Sequence, residues 1–223
     1  MTTSLRAPLR IAHRGMPRLA RENTLASFAL ALDSGADGIE LDVHATLDGV
    51  VVVHHDPALA NGASISELGY QLLRDQSLEG AQIPTLRDVC TLVSGRAELF
   101  VEIKGDGIER LVSDELDGYD GRCAIHSFDH ALIRRLSRGK TRHRLGLLFE
   151  TTPPNAGDVL AFNGALDLWP HHELVTRELV DAVHSMQGRV IPWTVNEASD
   201  VQRVIANGVD GICTDDVRIL SLA

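Results

Sequence analysis

The 223-residue sequence predicts a (β/α)₈ barrel, and three observations point to it. Short β-branched runs alternate with longer helical patterns along the chain, which is the rhythm of βα units. Charged residues and histidines collect at the C-terminal ends of the strand candidates, where such a barrel carries its chemistry. No Gly-x-Gly-x-x-Gly follows a strand and no Walker-type loop occurs, which weakens the competing open, doubly wound sheet.

The strand candidates, in order, are Arg10–Ala12, Gly38–Val43, Val50–His54, Leu99–Ile103, Cys123–Ser127, Leu145–Phe149, Ala165–Leu168, Val190–Val195 and Gly211–Thr214. The one run beyond eight is Val50–His54, because Asp48-Gly49 fits a two-residue hairpin turn that folds it back beside its predecessor. Between strands, apolar stripes closed by glycine read as helices. They are Leu25, Phe28 and Leu32 before Gly35; Leu86, Val89 and Val93 before Gly95; and Leu132, Ile133 and Leu136 before Gly139. Leu179, Val183 and Met186 precede Gly188, and Val201, Val204 and Ile205 precede Gly208 in a helix that starts at Glu197. Gly35-Ala36-Asp37-Gly38-Ile39 recurs as Gly208-Val209-Asp210-Gly211-Ile212, each time where a helix hands over to a strand. Either the structure repeats there, or such loops favour this chemistry.

With 44 % apolar and 23 % charged residues, the chain builds one sizeable core, so one domain over residues 1–223 is expected. Lys plus Arg is 21 and Asp plus Glu is 31, a net charge of −10 that repels nucleic-acid phosphates and anionic bilayers. The longest apolar run, Phe28 to Leu32, is far short of the roughly 18 residues of a membrane helix. The N-terminal MTTSLRAPLRIAHRG lacks the apolar stretch of a secretory signal. The expectation is a cytoplasmic protein with no membrane span and no nucleic-acid partner. Cys90, Cys123 and Cys213 lie scattered in apolar segments and read as reduced core thiols.

The first strand ends in His13-Arg14-Gly15, the second holds Glu40 and Asp42, the hairpin return ends in His54-His55-Asp56, and the next strand carries Glu102 and Lys104. Side chains alternate across a strand, so Glu40 pairs with Asp42 and Glu102 with Lys104, and the four can point the same way from two neighbouring strands. Three converging carboxylates repel one another unless a cation neutralises them, and an all-oxygen set suits Mg²⁺ or Ca²⁺ better than zinc. The alternative is a buried ion network in which Arg14 and Lys104 balance the carboxylates. His13 and His55 sit at strand ends beside this cluster, as a general acid and base for one displacement would. His54 reads as structural, and His44, His130, His143 and His184 as surface residues, while His126, His171 and His172 are undecided. Phe128, Glu150, His171 and Trp193 are candidates for the pocket wall.

The ordered run His13-Arg14-Gly15, Glu22-Asn23-Thr24, Gly35 to Val43, and Thr46-Leu47-Asp48-Gly49 through His55-Asp56-Pro57 resembles the glycerophosphodiester phosphodiesterase family. The likeness continues through Ile83-Pro84-Thr85-Leu86, Val101-Glu102-Ile103-Lys104, Ser127-Phe128-Asp129, Trp193-Thr194-Val195-Asn196 and Gly208 to Ile212, almost the whole chain. It implies a TIM barrel with a small insertion after the second strand, about Ala45 to Gln82. It also implies hydrolysis of a glycerophosphodiester to glycerol 3-phosphate and an alcohol. One divalent metal, Mg²⁺ or Ca²⁺, would be held by Glu40, Asp42 and Glu102. His13 and His55 would take the acid/base roles, and Arg14 and Lys104 would bind the phosphate. Water or the substrate's own 2-hydroxyl is the attacker. Members usually show Pro-Glu-Asn-Thr, and here Arg21 replaces the proline; Glu22 reads as an outer metal-site or helix-start residue. Two other readings are a related enzyme acting on lysophospholipids or sphingomyelin, and a non-catalytic barrel that binds a phosphate ester.

Overall fold

The computed structural model describes residues 7–75, 77–78 and 81–221. The N-terminal reading therefore rests partly on residues 1–6, and the insertion includes 76, 79 and 80, all outside the described residues. In chain order the strands are β1 (Leu9–Ala12), β2 (Gly38–Ala45), β3 (Val51–Val53), β4 (Ser77–Leu78), β5 (Ala81–Gln82), β6 (Glu98–Ile103), β7 (Cys123–Ser127), β8 (Arg144–Phe149), β9 (Asp167–Pro170), β10 (Arg189–Val190) and β11 (Gly211–Thr214). Eight of them pair in parallel in the order β10-β9-β8-β7-β6-β2-β1-β11. Backbone hydrogen bonds from Asp210 to Val190, Cys213 to Pro192 and Val195 to Cys213, at 2.9, 3.0 and 2.9 Å, draw the two ends together into a nearly closed barrel.

Helices alternate with these strands: α1 (Leu25–Asp33), α2 (Tyr70–Arg74), α3 (Leu86–Val93), α4 (Glu109–Asp117), α5 (His130–Arg138), α6 (Ala156–Asn163), α7 (Arg177–His184) and α8 (Ala198–Asn207). Side-chain oxygens start several of them, as Thr24 does by accepting from the Ser27 N–H. At α3, Thr85 and Asp88 cap each other's backbone. The glycine stops are met unevenly. Gly208 ends α8 in the left-handed region, at φ 87°, whereas Gly139 ends α5 with ordinary right-handed geometry, and Ser94 rather than Gly95 caps α3.

Alternation along each strand sends one set of side chains outward and the other into the barrel. The outward set, including Leu41, Val43, Val101, Ile125 and Leu147, packs on helix residues such as Phe28, Val89, Leu132, Val183 and Val204. The inward set of Ile11, Phe100, Ala124, Leu148, Trp169, Ile191 and Cys213 forms a separate plug within the barrel. A Cβ on Gly38 would lie 2.5 Å from the Phe100 ring, and one on Gly146 2.9 Å from the Trp169 ring. Glycine at these inward positions is what makes room for the two large rings.

Below the plug, at the N-terminal ends of the strands, lies an ion network. Asp167, fully buried, bonds Arg144 Nε and takes Arg189 at 3.0 and 2.6 Å, while Arg189 also reaches Glu98 at 3.0 and 3.3 Å. The recurring Gly-x-Asp-Gly-Ile segments do the same job twice. Asp37 accepts the Arg10 N–H at 2.9 Å and Asp210 the Val190 N–H at 2.8 Å, each closing the start of a neighbouring strand.

The insertion begins with β3, antiparallel to β2. The turn differs from the expected two-residue hairpin. Thr46 N–H bonds Val50 O at 3.0 Å, leaving the three residues Leu47-Asp48-Gly49 in the loop, with Gly49 at φ 79°. This is the three-residue form with glycine in the left-handed position. Val52, Leu59, Ile65, Leu73 and Ile83 give the insertion its own small core. Two strand boundaries also move. The expected Ala165–Leu168 lies at Asp167–Pro170, and Val190–Val195 shortens to Arg189–Val190 because neither Pro170, toward β10, nor Pro192, toward β11, has an N–H to donate. Among the described residues no helix is long and apolar enough to cross a membrane.

Candidate active site

A cavity of about 150 Å³ opens at the C-terminal ends of the strands, above the apolar plug. His13, Arg14, Glu40, His55, Glu102 and Lys104 line one side, and His126, Phe128, Leu148, Glu150, Trp169, Trp193 and Cys213 line the rest. Nine of the eleven residues singled out from the sequence thus meet in one pocket. Asp42, fully buried, and His171 stand outside the lining, the latter edge-on to Trp193 at 5.7 Å.

The loops at the mouth are tied tightly. Arg14 takes a positive φ of 53°, which aims its N–H at Glu40 Oε2, 3.1 Å away. Such a backbone is costly for a side-chain-bearing residue and is typical of functional loops. Gly15 follows at φ 89°, and a Cβ there would fall 2.3 Å from Ser27 Oγ, so α1 docks directly on the loop. Asn23, at φ 55°, donates from Nδ2 to Asp42 Oδ2 at 2.8 Å. Glu22, the expected outer residue, accepts from Arg14 at 3.1 Å.

Charges are interleaved. Asp42 pairs with Arg14 Nε at 3.0 Å and Lys104 Nζ at 3.5 Å, and Glu102 pairs with Lys104 at 2.9 Å. Burial would raise the Asp42 carboxyl, but the two cations and Asn23 outweigh it and hold it below the usual range. Glu102 goes the other way. Burial, then the neighbouring charges of Asp42 and Glu40, push it up to about 8 against the pull of Lys104. Burial is the larger cause and the neighbouring carboxylates the smaller, so the shift reports first that this carboxyl is taken out of water.

The donor atoms of Glu40, Glu102 and His126, all buried, lie within 4.8 Å of one another. His126 Nδ1 and Asp42 Oδ1 are buried without a hydrogen-bond partner among the described residues. Two buried carboxylates close to each other and to an imidazole with an unpartnered nitrogen fit a divalent cation. The expected ligand trio was Glu40, Asp42 and Glu102. The structure groups the two glutamates with His126 and turns Asp42 toward Arg14, Lys104 and Asn23. The His126 ring is stacked on Trp169, with centroids 4.2 Å apart.

His13 Nδ1 bonds Asp215 Oδ1 at 2.7 Å, and Asn196 Nδ2 bonds the other Asp215 oxygen at 2.7 Å. Burial would lower the His13 imidazolium, but the Asp215 hydrogen bond and the Glu40 charge prevail and raise it above the ordinary histidine value. Sequence reasoning missed Asp215 and Asn196 and left His126 undecided. Strand parity was the available signal, since Asp215 continues Gly211 and Cys213, and His126 continues Ala124. His55 Nδ1 bonds Asp56 Oδ1 at 2.8 Å. His54 turns to the Asp56 carbonyl, also at 2.8 Å, in keeping with a structural role.

Two of the presumed surface histidines are not on the surface. His44 is 6 % exposed and bonds the His55 carbonyl through Nε2 at 3.1 Å, because it shares the face of β2 that carries Glu40 and Asp42 and the chain at His55 covers it there. His143 is 8 % exposed and meets Cys123 Sγ at 3.1 Å. His130 is half-buried against Phe149, whereas His184 is exposed and pairs with Asp210. The three cysteines are free. Cys213 is buried and the other two are half-buried.

The Glycerophosphoryl diester phosphodiesterase family model matches residues 13–219. The chain belongs to that family. A glycerophosphodiester phosphodiesterase from Caldanaerobacter subterraneus is 34 % identical, with 94 % of this chain and 95 % of that protein covered. The family likeness extends to the fold. The crystal structure of a glycerophosphodiester phosphodiesterase from Thermotoga maritima superposes with a TM-score of 0.84 at 25 % identity, covering 96 % of this chain and 97 % of that one. An Oleispira antarctica phosphodiesterase, solved in complex with its product sn-glycerol-3-phosphate, shares the fold with a TM-score of 0.86 at 24 % identity, covering 95 % and 94 % of the two chains. Membership makes this family barrel a hydrolase of phosphoric diesters.

Proposed function

We propose that the chain, acting as a single domain, hydrolyses glycerophosphodiesters to glycerol 3-phosphate and an alcohol, with one divalent cation, Mg²⁺ or Ca²⁺, and with His13 and His55 exchanging the protons. The observation that carries this reading is the meeting of both histidines, Arg14 and Lys104 with Glu40 and Glu102 in one pocket at the C-terminal barrel face. Glu40, Asp42 and Glu102 are the proposed ligands, with His126 beside Glu40. When bound, the cation supplies charge stabilisation at the phosphate oxygens. Arg14 and Lys104 hold and neutralise the phosphate from the same side. His13, whose protonated form Asp215 favours, donates to the departing alkoxide, and His55 accepts the proton of the attacking hydroxyl.

The direct test is phosphorus NMR of the protein with glycerophosphocholine, glycerophosphoethanolamine and lysophosphatidylcholine, with Mg²⁺ or Ca²⁺ and with chelator. Glycerol 3-phosphate is expected from the two water-soluble diesters and is expected to stop with chelator. Chelator-resistant turnover would remove the cation from the mechanism, and consumption of the lysolipid alone would redirect the enzyme to lipids.

Asp215 acts through His13 and is a positioning residue. Loss of its hydrogen bond and charge lowers the His13 pKa, so the alkaline limb of the kcat/KM profile, where the acid loses its proton, is expected to move to lower pH in Asp215→Asn. An unmoved limb with reduced activity would assign Asp215 a purely structural role.

A further inference from the structure

Of the three histidines in the pocket lining, His13 and His55 each bond a carboxylate, and His126 makes no hydrogen bond among the described residues. The His126 side chain is 1 % exposed, and its Nε2 lies 3.7 Å from Glu40 Oε1, beyond hydrogen-bond reach. Its Nδ1 is buried without a partner. An imidazole shut away from water with both nitrogens unanswered is costly, and such a group calls for a ligand that satisfies it.

The barrel register sets where this ring stands. Asp42, Glu102 and His126 are successive partners across β2, β6 and β7. The next partner, on β8, is Gly146, where a Cβ would come 3.1 Å from the His126 Cβ and 2.9 Å from the Trp169 ring. That missing side chain lets Trp169 lie flat on the imidazole, at an interplanar angle of 8°. Stacking fixes the ring's orientation but satisfies neither nitrogen. With its face covered, the ring acts through its edge, which carries Nε2 toward Glu40.

A neutral imidazole adds a donor without adding negative charge to a site where Glu40, Asp42 and Glu102 already face Arg14 and Lys104. Mg²⁺ and Ca²⁺ prefer oxygen throughout, whereas Mn²⁺ accepts carboxylate and imidazole together. Resting on the cation reading above, we propose that His126 is itself a ligand of the bound cation, through Nε2 beside Glu40 and Glu102, and that this nitrogen tilts the site toward Mn²⁺ over Mg²⁺ and Ca²⁺. The reaction is the same with each ion; the choice of ion is what His126 sets.

The test uses the metal-free protein with Mn²⁺, Mg²⁺ or Ca²⁺ alone and no diester. Equilibrium dialysis gives the three affinities, and pulsed electron paramagnetic resonance of bound Mn²⁺ reads coupling to an imidazole nitrogen. The wild type is expected to show that coupling and to bind Mn²⁺ most tightly. His126→Phe keeps a ring against Trp169 and removes the donor, so the coupling is expected to vanish and Mn²⁺ affinity to fall roughly 10–100-fold, more than that for Mg²⁺. His126→Gln, which offers an oxygen in place of the nitrogen, is the second variant if the first does not fold, and is expected to lose the coupling as well. Circular dichroism checks each fold. Bound Mn²⁺ without nitrogen coupling in the wild type, or a coupling that survives both variants and so comes from another histidine, overturns the assignment and leaves the cation in place. A wild type that binds none of the three ions overturns the cation too, while the hydrolase reading stands or falls on the phosphorus NMR.

Discussion

His13→Ala is expected to lower turnover of a glycerophosphodiester by about 10²–10⁴-fold, and His55→Ala by a similar factor, with the fold retained. The range is that of a positioned general acid or base. The His13 ring lines the pocket and is held by Asp215 at 2.7 Å, so its loss removes a proton carrier from the site. His55 stands on the insertion side, with a side chain 35 % exposed, and its backbone is fixed through His44. Because the two residues serve one displacement, the double variant is expected to lose much less than the product of the two single effects. Steady-state rates with circular dichroism of each variant check this. Wild-type-like turnover in both single variants would sink the assignment.

Asp167→Ala is expected to cost about 3–5 kcal/mol of stability without touching the pocket. It would leave Arg189, whose side chain is 19 % exposed, with Glu98 alone, and would strip Arg144 of its partner at the closed end of the barrel. Arg189 retains Glu98, which places the expectation at the lower end, a fall in Tm of roughly 6–12 °C for a chain of this size. Arg87→Ala is the comparison. Its Glu115 pair sits with the arginine side chain 78 % exposed, and such pairs contribute about 0.2–1 kcal/mol. Urea unfolding separates the two. A cost for Asp167→Ala no larger than for Arg87→Ala would mean the buried network stabilises no more than a surface pair.

Most of the frame was legible because the sequence signals are local. Alternating residues on β2 and β6 put Glu40, Glu102 and Lys104 on one face, and the pocket lining contains all three. Asp48-Gly49 marked the hairpin, although its true length depends on Thr46 pairing with Val50, which the dipeptide alone does not specify. What escaped was set by neighbours distant in sequence. His44 shares the face of Glu40 and Asp42 near the end of β2 and reads as exposed until the return through His55 is laid over it. His126 sits in mid-strand with Ala124 below it, a pattern shared with ordinary core positions, and only the closeness of Glu40 and Glu102 gives it a chemical context. Asp215 lies just past the end of β11, and nothing near it in sequence announces His13. Ile191 to Val195 is apolar enough to read as strand, but the missing N–H groups of Pro170 and Pro192 end the regular ladder of β10 at Val190.

The 2.7 Å bond between His13 and Asp215 spans 202 residues, joining the first strand of the ring to the last. Such a contact is among the most entropically demanding a chain this long can make, and it forms only after the intervening βα units have stacked. Partial folding therefore yields no partial enzyme. During synthesis the N-terminal units emerge and pack with His13 still lacking its carboxylate, and the proton relay is assembled when the final strand docks. Any nick, swap or permutation that opens the seam between β1 and β11 disarms the site even where every helix survives, so activity reports ring closure more faithfully than helix content does.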